Sequence, residues 1–87
     1  MEIKYSETAV KQIEKICKGD KRSASLIMGA IEDYSKNPKG HFDIKALKGR
    51  HGDFKRLRTG KYRILFEEDG KIIFVYEIKH RQEAYRD

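Results

Sequence analysis

Seven side chains able to hold an anion fall within residues 47–63: Lys48, Arg50, Lys55, Arg56, Arg58, Lys61 and Arg63, against the one acid Asp53. With Lys45 added, residues 45–63 carry eight basic groups and one acidic group. That is a local +7 in a chain of net charge +6, so the remainder sums to −1. Positive charge this concentrated faces a phosphate-rich or acidic partner. Arginine holds phosphate through two parallel N–H groups and stays charged at any accessible pH. Tyrosine and histidine, supplied downstream by Tyr76, His80 and Tyr85, stack on bases or move protons. The three histidines are scattered and Cys17 lies on an apolar helical stripe, so no metal-ligand spacing is present and no metal or cofactor is expected. There is also no phosphate-cradling glycine loop and no serine or cysteine triad. Cleavage of RNA without metal needs activation of the 2′-hydroxyl, cations to stabilise the phosphorane and an acid for the leaving oxygen. Positioning and electrostatics then carry most of the rate. DNA offers no internal nucleophile, so RNA fits this residue set better.

The elements that position these groups can be read from periodicity. Residues 54–58 and 61–67 alternate as strands around Thr59-Gly60, a two-residue turn. That turn sets Arg58 opposite Lys61, Leu57 opposite Tyr62 and Arg56 opposite Arg63. Arg56, Arg58, Lys61 and Arg63 then share one face, and Leu57, Tyr62, Ile64 and Phe66 the other. Like charges placed opposite one another destabilise a sheet, so the cluster reads as an anion site; the plain alternative is the solvated face of a half-buried sheet. Asp69-Gly70 predicts a second hairpin pairing Glu68 with Lys71, Leu65 with Phe74, Ile64 with Val75 and Arg63 with Tyr76. Tyr76 therefore joins the arginine face, together with Leu65, Phe74 and Ile78. Ile73 and Val75 join the apolar one.

Upstream, Ile3 and Tyr5 mark a short strand, and Ser6 is an N-cap. Ala9, Val10, Ile13, Ile16 and Cys17 recur at helical spacing up to Gly19. Asp20 opens a second helix with the stripe Ala24, Ile27, Met28, Ile31 and Tyr34, and Asn37-Pro38 stops it. Residues 39–52 read as a polar loop. The 87 residues make one domain, 1–87, with one modest core. Its class is α+β: an N-terminal strand, an antiparallel two-helix hairpin, then a three-stranded antiparallel meander on the helices and a short C-terminal tail. The lone Cys17 points to no oxidising compartment, no run reaches the roughly 20 apolar residues of a membrane span, and no signal-peptide pattern is present. A cytoplasmic protein without membrane contact is expected.

The run LKGRHGDFKRLRTGKYRILFEEDGKIIFVYEIKHRQEAYR resembles the RelE/ParE superfamily of toxin–antitoxin toxins, the RelE branch most. The marks are Leu47-Lys48-Gly49, Arg56-Leu57-Arg58, Gly60-Lys61-Tyr62-Arg63-Ile64, and His80-Arg81 followed by Tyr85-Arg86. The resemblance implies a RelE-like fold and a ribosome-dependent, metal-independent endonuclease. Such an enzyme cuts mRNA in the ribosomal A site by 2′-hydroxyl attack, leaving a 2′,3′-cyclic phosphate or 3′-phosphate. By the same resemblance, Arg63 contacts the scissile phosphate, Arg81 stabilises the transition state, and Tyr85 stacks on the codon and is one candidate for the base. Arg56 stands where the family often has lysine, and Phe54 where some members carry another, so the proton acceptor is left open. Lys48, Arg50, Lys55, Arg58, Lys61, His80 and Arg86 would bind RNA or the ribosome; for Lys48, Arg50 and Lys55 a solvated surface is the alternative, and for His80 a structural role. An acidic, partly helical RelB-like antitoxin is implied as partner, in a heterotetramer or larger complex that binds DNA through the antitoxin. Two other readings remain: a ParE-like inhibitor of DNA gyrase, and a catalytically decayed RNA- or ribosome-binding member.

Overall fold

A computed structural model describes residues 1–47 and 54–81. The chain runs β1 (Glu2–Tyr5), α1 (Glu7–Gly19), α2 (Lys21–Lys36), β2 (Asp43–Ala46), β3 (Phe54–Thr59), β4 (Tyr62–Glu68) and β5 (Ile72–His80). The class and the order of helices and meander are as expected. The sheet is wider than a meander: five strands in the order β1-β5-β4-β3-β2, with β1 parallel to β5 and every other pairing antiparallel.

Local chemistry sets the helix ends. Ser6 caps α1, its Oγ accepting the Ala9 N–H at 2.9 Å. Asp20 caps α2, accepting the Ser23 N–H at 3.1 Å and its hydroxyl at 2.6 Å. Such caps satisfy N–H groups that have no partner within the helix. The two helices fold back at Asp20 and cover one face of the sheet. Ala9, Ile27, Ile31 and Tyr34 from the helices bury against Leu57, Ile64, Phe66, Ile73, Val75 and Ile78 from the strands. Each of the larger side chains contributes about 1.5–3 kcal/mol on burial. Cys17, expected in the core, is only half-buried.

β5 runs beyond its partner β1, which ends at Tyr5 opposite Val75. Side chains from the start of α1 take over that edge. Ser6 Oγ donates to the Tyr76 carbonyl at 2.6 Å, and the Ile78 N–H donates to Gln12 Oε1 at 2.6 Å. Backbone groups left unpaired here would otherwise be buried at a cost of about 1–3 kcal/mol each.

The strand registers differ from the sequence expectation in instructive ways. In the first hairpin Gly60 and Lys61, not Thr59 and Gly60, are the turn: Thr59 pairs with Tyr62, Arg58 with Arg63, Leu57 with Ile64 and Arg56 with Leu65. Gly60 has φ +56°, and among the described residues no non-glycine residue has positive φ, as a turn with glycine at its first central position requires. Every partner has moved by two residues, and because side chains alternate with period two, each strand residue keeps its face. Only Lys61 leaves the arginine face, for the turn. The second hairpin closes through a longer loop. Asp69 Oδ1 accepts the Lys71 and Ile72 N–H groups at 2.8 and 2.9 Å, and Gly70 has φ +90°. Phe66 then pairs with Val75 but Leu65 with Glu77, leaving Tyr76 as the extra residue of a β-bulge. The bulge flips the alternation of the rest of β5. Ile78, expected on the arginine face, therefore pairs with Ile64 and is buried in the core.

Candidate functional site

The short strand β2 lies within the stretch expected to be loop. It forms the sheet's edge beside β3, with Asp43 opposite Arg58 and Lys45 opposite Arg56. Together with the bulge, it builds two rows of charged side chains on the sheet face away from the helices. One row reads Lys79, Arg63, Arg58, Asp43 across β5, β4, β3 and β2. The next reads Glu77, Leu65, Arg56, Lys45. At about 4.8 Å per strand, each row is roughly 14 Å long. Three guanidinium-bearing residues, Arg56, Arg58 and Arg63, thus share one face.

The electrostatics of this face are uneven. Arg56 is only 8% exposed, an arginine taken largely out of water. Burying such a charge is costly unless it is paired. Its Nη1 donates to Asp43 Oδ1 at 3.4 Å, near the outer limit for such a bond. Asp43 Oδ2 lies 3.8 Å from Arg58 Nε, so one carboxylate bridges two guanidinium groups from the solvent-exposed edge. The Arg63 Nε is buried and finds no acceptor among the described residues. An orphaned donor of that kind costs about 1–3 kcal/mol, so the side chain gains by turning outward to meet an acceptor.

Beyond the charged rows the same face turns aromatic. Tyr76 stacks on Phe54 with ring centroids 4.9 Å apart and leans on Phe74 at 4.6 Å. The Tyr76 hydroxyl donates to Glu67 Oε1 at 2.6 Å. That bond to a carboxylate, more than burial, raises the phenol above its ordinary pKa of 10.0. Tyr76 thus holds its proton at neutral pH.

The remaining expected site residues separate. Lys55 projects from the helix-side face of β3, opposite Phe66, and pairs with Glu68 at 3.0 Å. It does not join the arginines. His80, expected to bind RNA or the ribosome, is likewise on the helix side, because the bulge has reversed that part of β5. There it lies opposite Tyr62, edge-on at 5.3 Å, and lines a cavity of about 470 Å³ with Gln12, Lys15 and Asp20. Lys61 is exposed in its turn, close enough to Asp20 to help lower that carboxyl's pKa, behind the larger effect of the Ser23 bonds. Arg81 is exposed just past β5, its N–H donating to the Lys61 carbonyl at 2.7 Å. This anchors it at the end of the sheet where Arg58 pairs with Arg63. Lys48, Arg50, Tyr85 and Arg86 lie outside the described residues.

A model of the family described as the ParE toxin of the type II toxin–antitoxin system parDE matches residues 3–85. The chain belongs to the ParE toxin family. This ParE-family chain is also 28% identical to Toxin RelE3 of Methanocaldococcus jannaschii over 85 residues, which is 98% of this chain and 96% of the relative. Among solved structures it is similar to the RelB–RelE antitoxin–toxin complex from Methanococcus jannaschii. There the identity is 27%, the TM-score is 0.69, and 94% of each chain is covered. The Staphylococcus aureus YoeB dimer shares the fold, at a TM-score of 0.79 and 18% identity over 92% of this chain and 95% of that one. The chain is therefore a RelE/ParE-family toxin of the type II toxin–antitoxin class.

Four residues on the toxin's charged face, Asp43, Lys45, Glu77 and Lys79, were not among the site residues read from the sequence. The alternation of Asp43-Ile44-Lys45, with the apolar residue turned inward, is the signal that could have located β2. Glu77 and Lys79 depend on the bulge, and no turn residue in the sequence marks it.

Proposed function

We propose that this ParE-family toxin is a ribosome-dependent endoribonuclease that cuts mRNA in the ribosomal A site by attack of the 2′-hydroxyl. The observation that carries the proposal is the shared face of Arg56, Arg58 and Arg63, with the Arg63 Nε lacking an acceptor among the described residues. Three fixed cations suit a phosphodiester that gains charge as it becomes pentacovalent, and stabilisation of this kind is among the largest contributions to catalysis. In this scheme Arg63 takes the scissile phosphate, Arg56 and Arg58 flank it, and Arg81 stabilises the developing charge from the end of the sheet. Tyr85 stacks on the codon. Lys45 and Lys79 extend the basic surface toward ribosomal RNA. The work is done within one domain, residues 1–87, in the cytoplasm.

An acidic RelB-like antitoxin would neutralise the same face, in a complex of two toxins and two antitoxins or larger that binds DNA through the antitoxin. In support, the Methanococcus jannaschii and Mycobacterium tuberculosis structures similar to this chain are RelB–RelE and RelBE2 complexes. A second reading is the ParE-like inhibition of DNA gyrase that the sequence resemblance also implies, which uses the fold without RNA chemistry; that the matching family model is described as a ParE toxin supports it.

Primer extension on message undergoing translation tests the proposal, comparing the wild type with Arg63→Ala and Arg81→Ala. Wild type is expected to leave 5′ ends at codon boundaries, with cleavage lowered about 100-fold or more in each variant. DNA damage with intact messages would instead establish the gyrase reading.

A further inference from the structure

We infer that Asp43 is the general base of the proposed RNA cleavage, taking the proton from the attacking 2′-hydroxyl. This rests on the endoribonuclease reading of the same face. The family's lysine positions are occupied here by Phe54 and Arg56, neither of which accepts a proton at neutral pH. Among the described residues, the acceptor is then to be sought on the arginine face itself. Three other carboxylates of β4 and β5 can be compared with Asp43. Glu67 is committed to the Tyr76 hydroxyl at 2.6 Å. Glu77 stands opposite Leu65, a full strand away from Arg56. Glu68 has turned to the other face and pairs with Lys55.

Among the described residues, Asp43 alone touches two of the arginines, at 3.4 Å from Arg56 and 3.8 Å from Arg58. The phosphodiester on Arg63 is flanked by Arg56 and Arg58, the two arginines that Asp43 touches, and the ribose hydroxyl is attached to the same nucleotide. Asp43 is also open to a substrate, because its side chain is 57% exposed and β2 is the last strand of the sheet. Among the described residues, the charged groups facing it are Arg56 and Arg58 from β3, with Lys45 two positions along its own strand.

In the step itself, the 2′-oxygen gives its proton to an Asp43 oxygen and forms a bond to phosphorus. The bond from phosphorus to the 5′-oxygen breaks, and the leaving oxygen takes a proton from water. The product is a 2′,3′-cyclic phosphate. Asp43 then returns its proton to solvent. No oxidant, reductant or metal is needed for the balance.

The test is single-turnover cleavage of message on programmed, saturating ribosomes with wild type, Asp43→Asn and Asp43→Glu, beside binding of an uncleavable 2′-O-methyl message to the same complexes. General-base catalysis is typically worth 10²–10⁴-fold. Asp43→Asn, which keeps the acceptor oxygen for Arg56, is therefore expected to cut about 100-fold or more slowly while holding the uncleavable message as wild type does. Asp43→Glu is expected to recover part of the rate. Two results would overturn the inference while wild type still cuts. One is an Asp43→Asn rate within threefold of wild type, or above it, which makes Asp43 a counter-ion that phosphate displaces. The other is a slower Asp43→Asn enzyme that loses its hold on the uncleavable message in the same proportion, or is not improved on by Asp43→Glu, which makes Asp43 a positioning residue. A wild-type chain that leaves messages whole overturns the endoribonuclease reading itself, and this inference with it.

Discussion

Replacing Arg58 and Arg63 together by glutamine should cut by about two-fifths the salt dependence with which the chain holds single-stranded RNA. The two residues sit directly opposite each other on β3 and β4 and form the middle of one charged row, which Lys79 continues. With Arg56 and Lys45 in the neighbouring row, five cations face one way. Each phosphate neutralised on a single strand releases counterions worth about −0.7 in the slope of log K against log salt. Five contacts then give a slope of about −3.5, and the three left in the double variant about −2.1. Between 50 and 200 mM salt, wild type would lose about 130-fold in affinity and the variant about 18-fold. Fluorescence anisotropy of a labelled, uncleavable 2′-O-methyl oligonucleotide measures both slopes. Arg22→Gln is the control, because Arg22 is an exposed residue of α2 and the helices cover the other face of the sheet. Equal slopes in wild type and double variant, or an equal drop for Arg22→Gln, would refute the assignment of this face to phosphate.

Gln12→Ala should destabilise the fold by about 1–3 kcal/mol in urea unfolding, because the partly buried Ile78 N–H loses its acceptor at 2.6 Å. A change under about 0.5 kcal/mol, the scale of an ordinary surface substitution, would show that water replaces Gln12 freely. Asp69 carries a pH signature. The Ile72 N–H, then the Lys71 N–H, hold its carboxyl below the usual 3.8. A lowered folded pKa gives stability that is present above the unfolded value and lost as pH falls through the folded one. Asp69→Asn keeps the acceptor oxygen but cannot titrate. The thermal stability that wild type holds over the variant near pH 6 should therefore shrink as the pH is brought down to about 2, and a gap constant over that range would contradict the carboxylate's role in the turn.

Much of the architecture was legible from residue pattern. Ser6, Asp20 and Asn37-Pro38 bound the two helices through bonds that are local in sequence, and the stripe Ile27, Ile31, Tyr34 lies in the core as its spacing requires. Arg56, Arg58 and Arg63 fell on one face even though the hairpin register was misplaced, because the error was two residues and the alternation of a strand has period two. That hairpin is the part of the candidate site that the sequence by itself determined.

The tertiary structure decided the rest. β2 has only Ile44 turned inward, too little apolar pattern to announce a strand. It exists because β3 presents a free edge for it to pair with, and by pairing it brings Asp43 onto the arginines. The bulge at Tyr76 is the other such decision. One extra residue moves His80 and Ile78 to the helix side and sets Lys79 beside Arg63. Neither outcome is written in a local run of residues, since each depends on which backbone groups on distant strands find partners. The chain's own order determines which charges share a strand, and the pairing of strands far apart in sequence determines which charges meet.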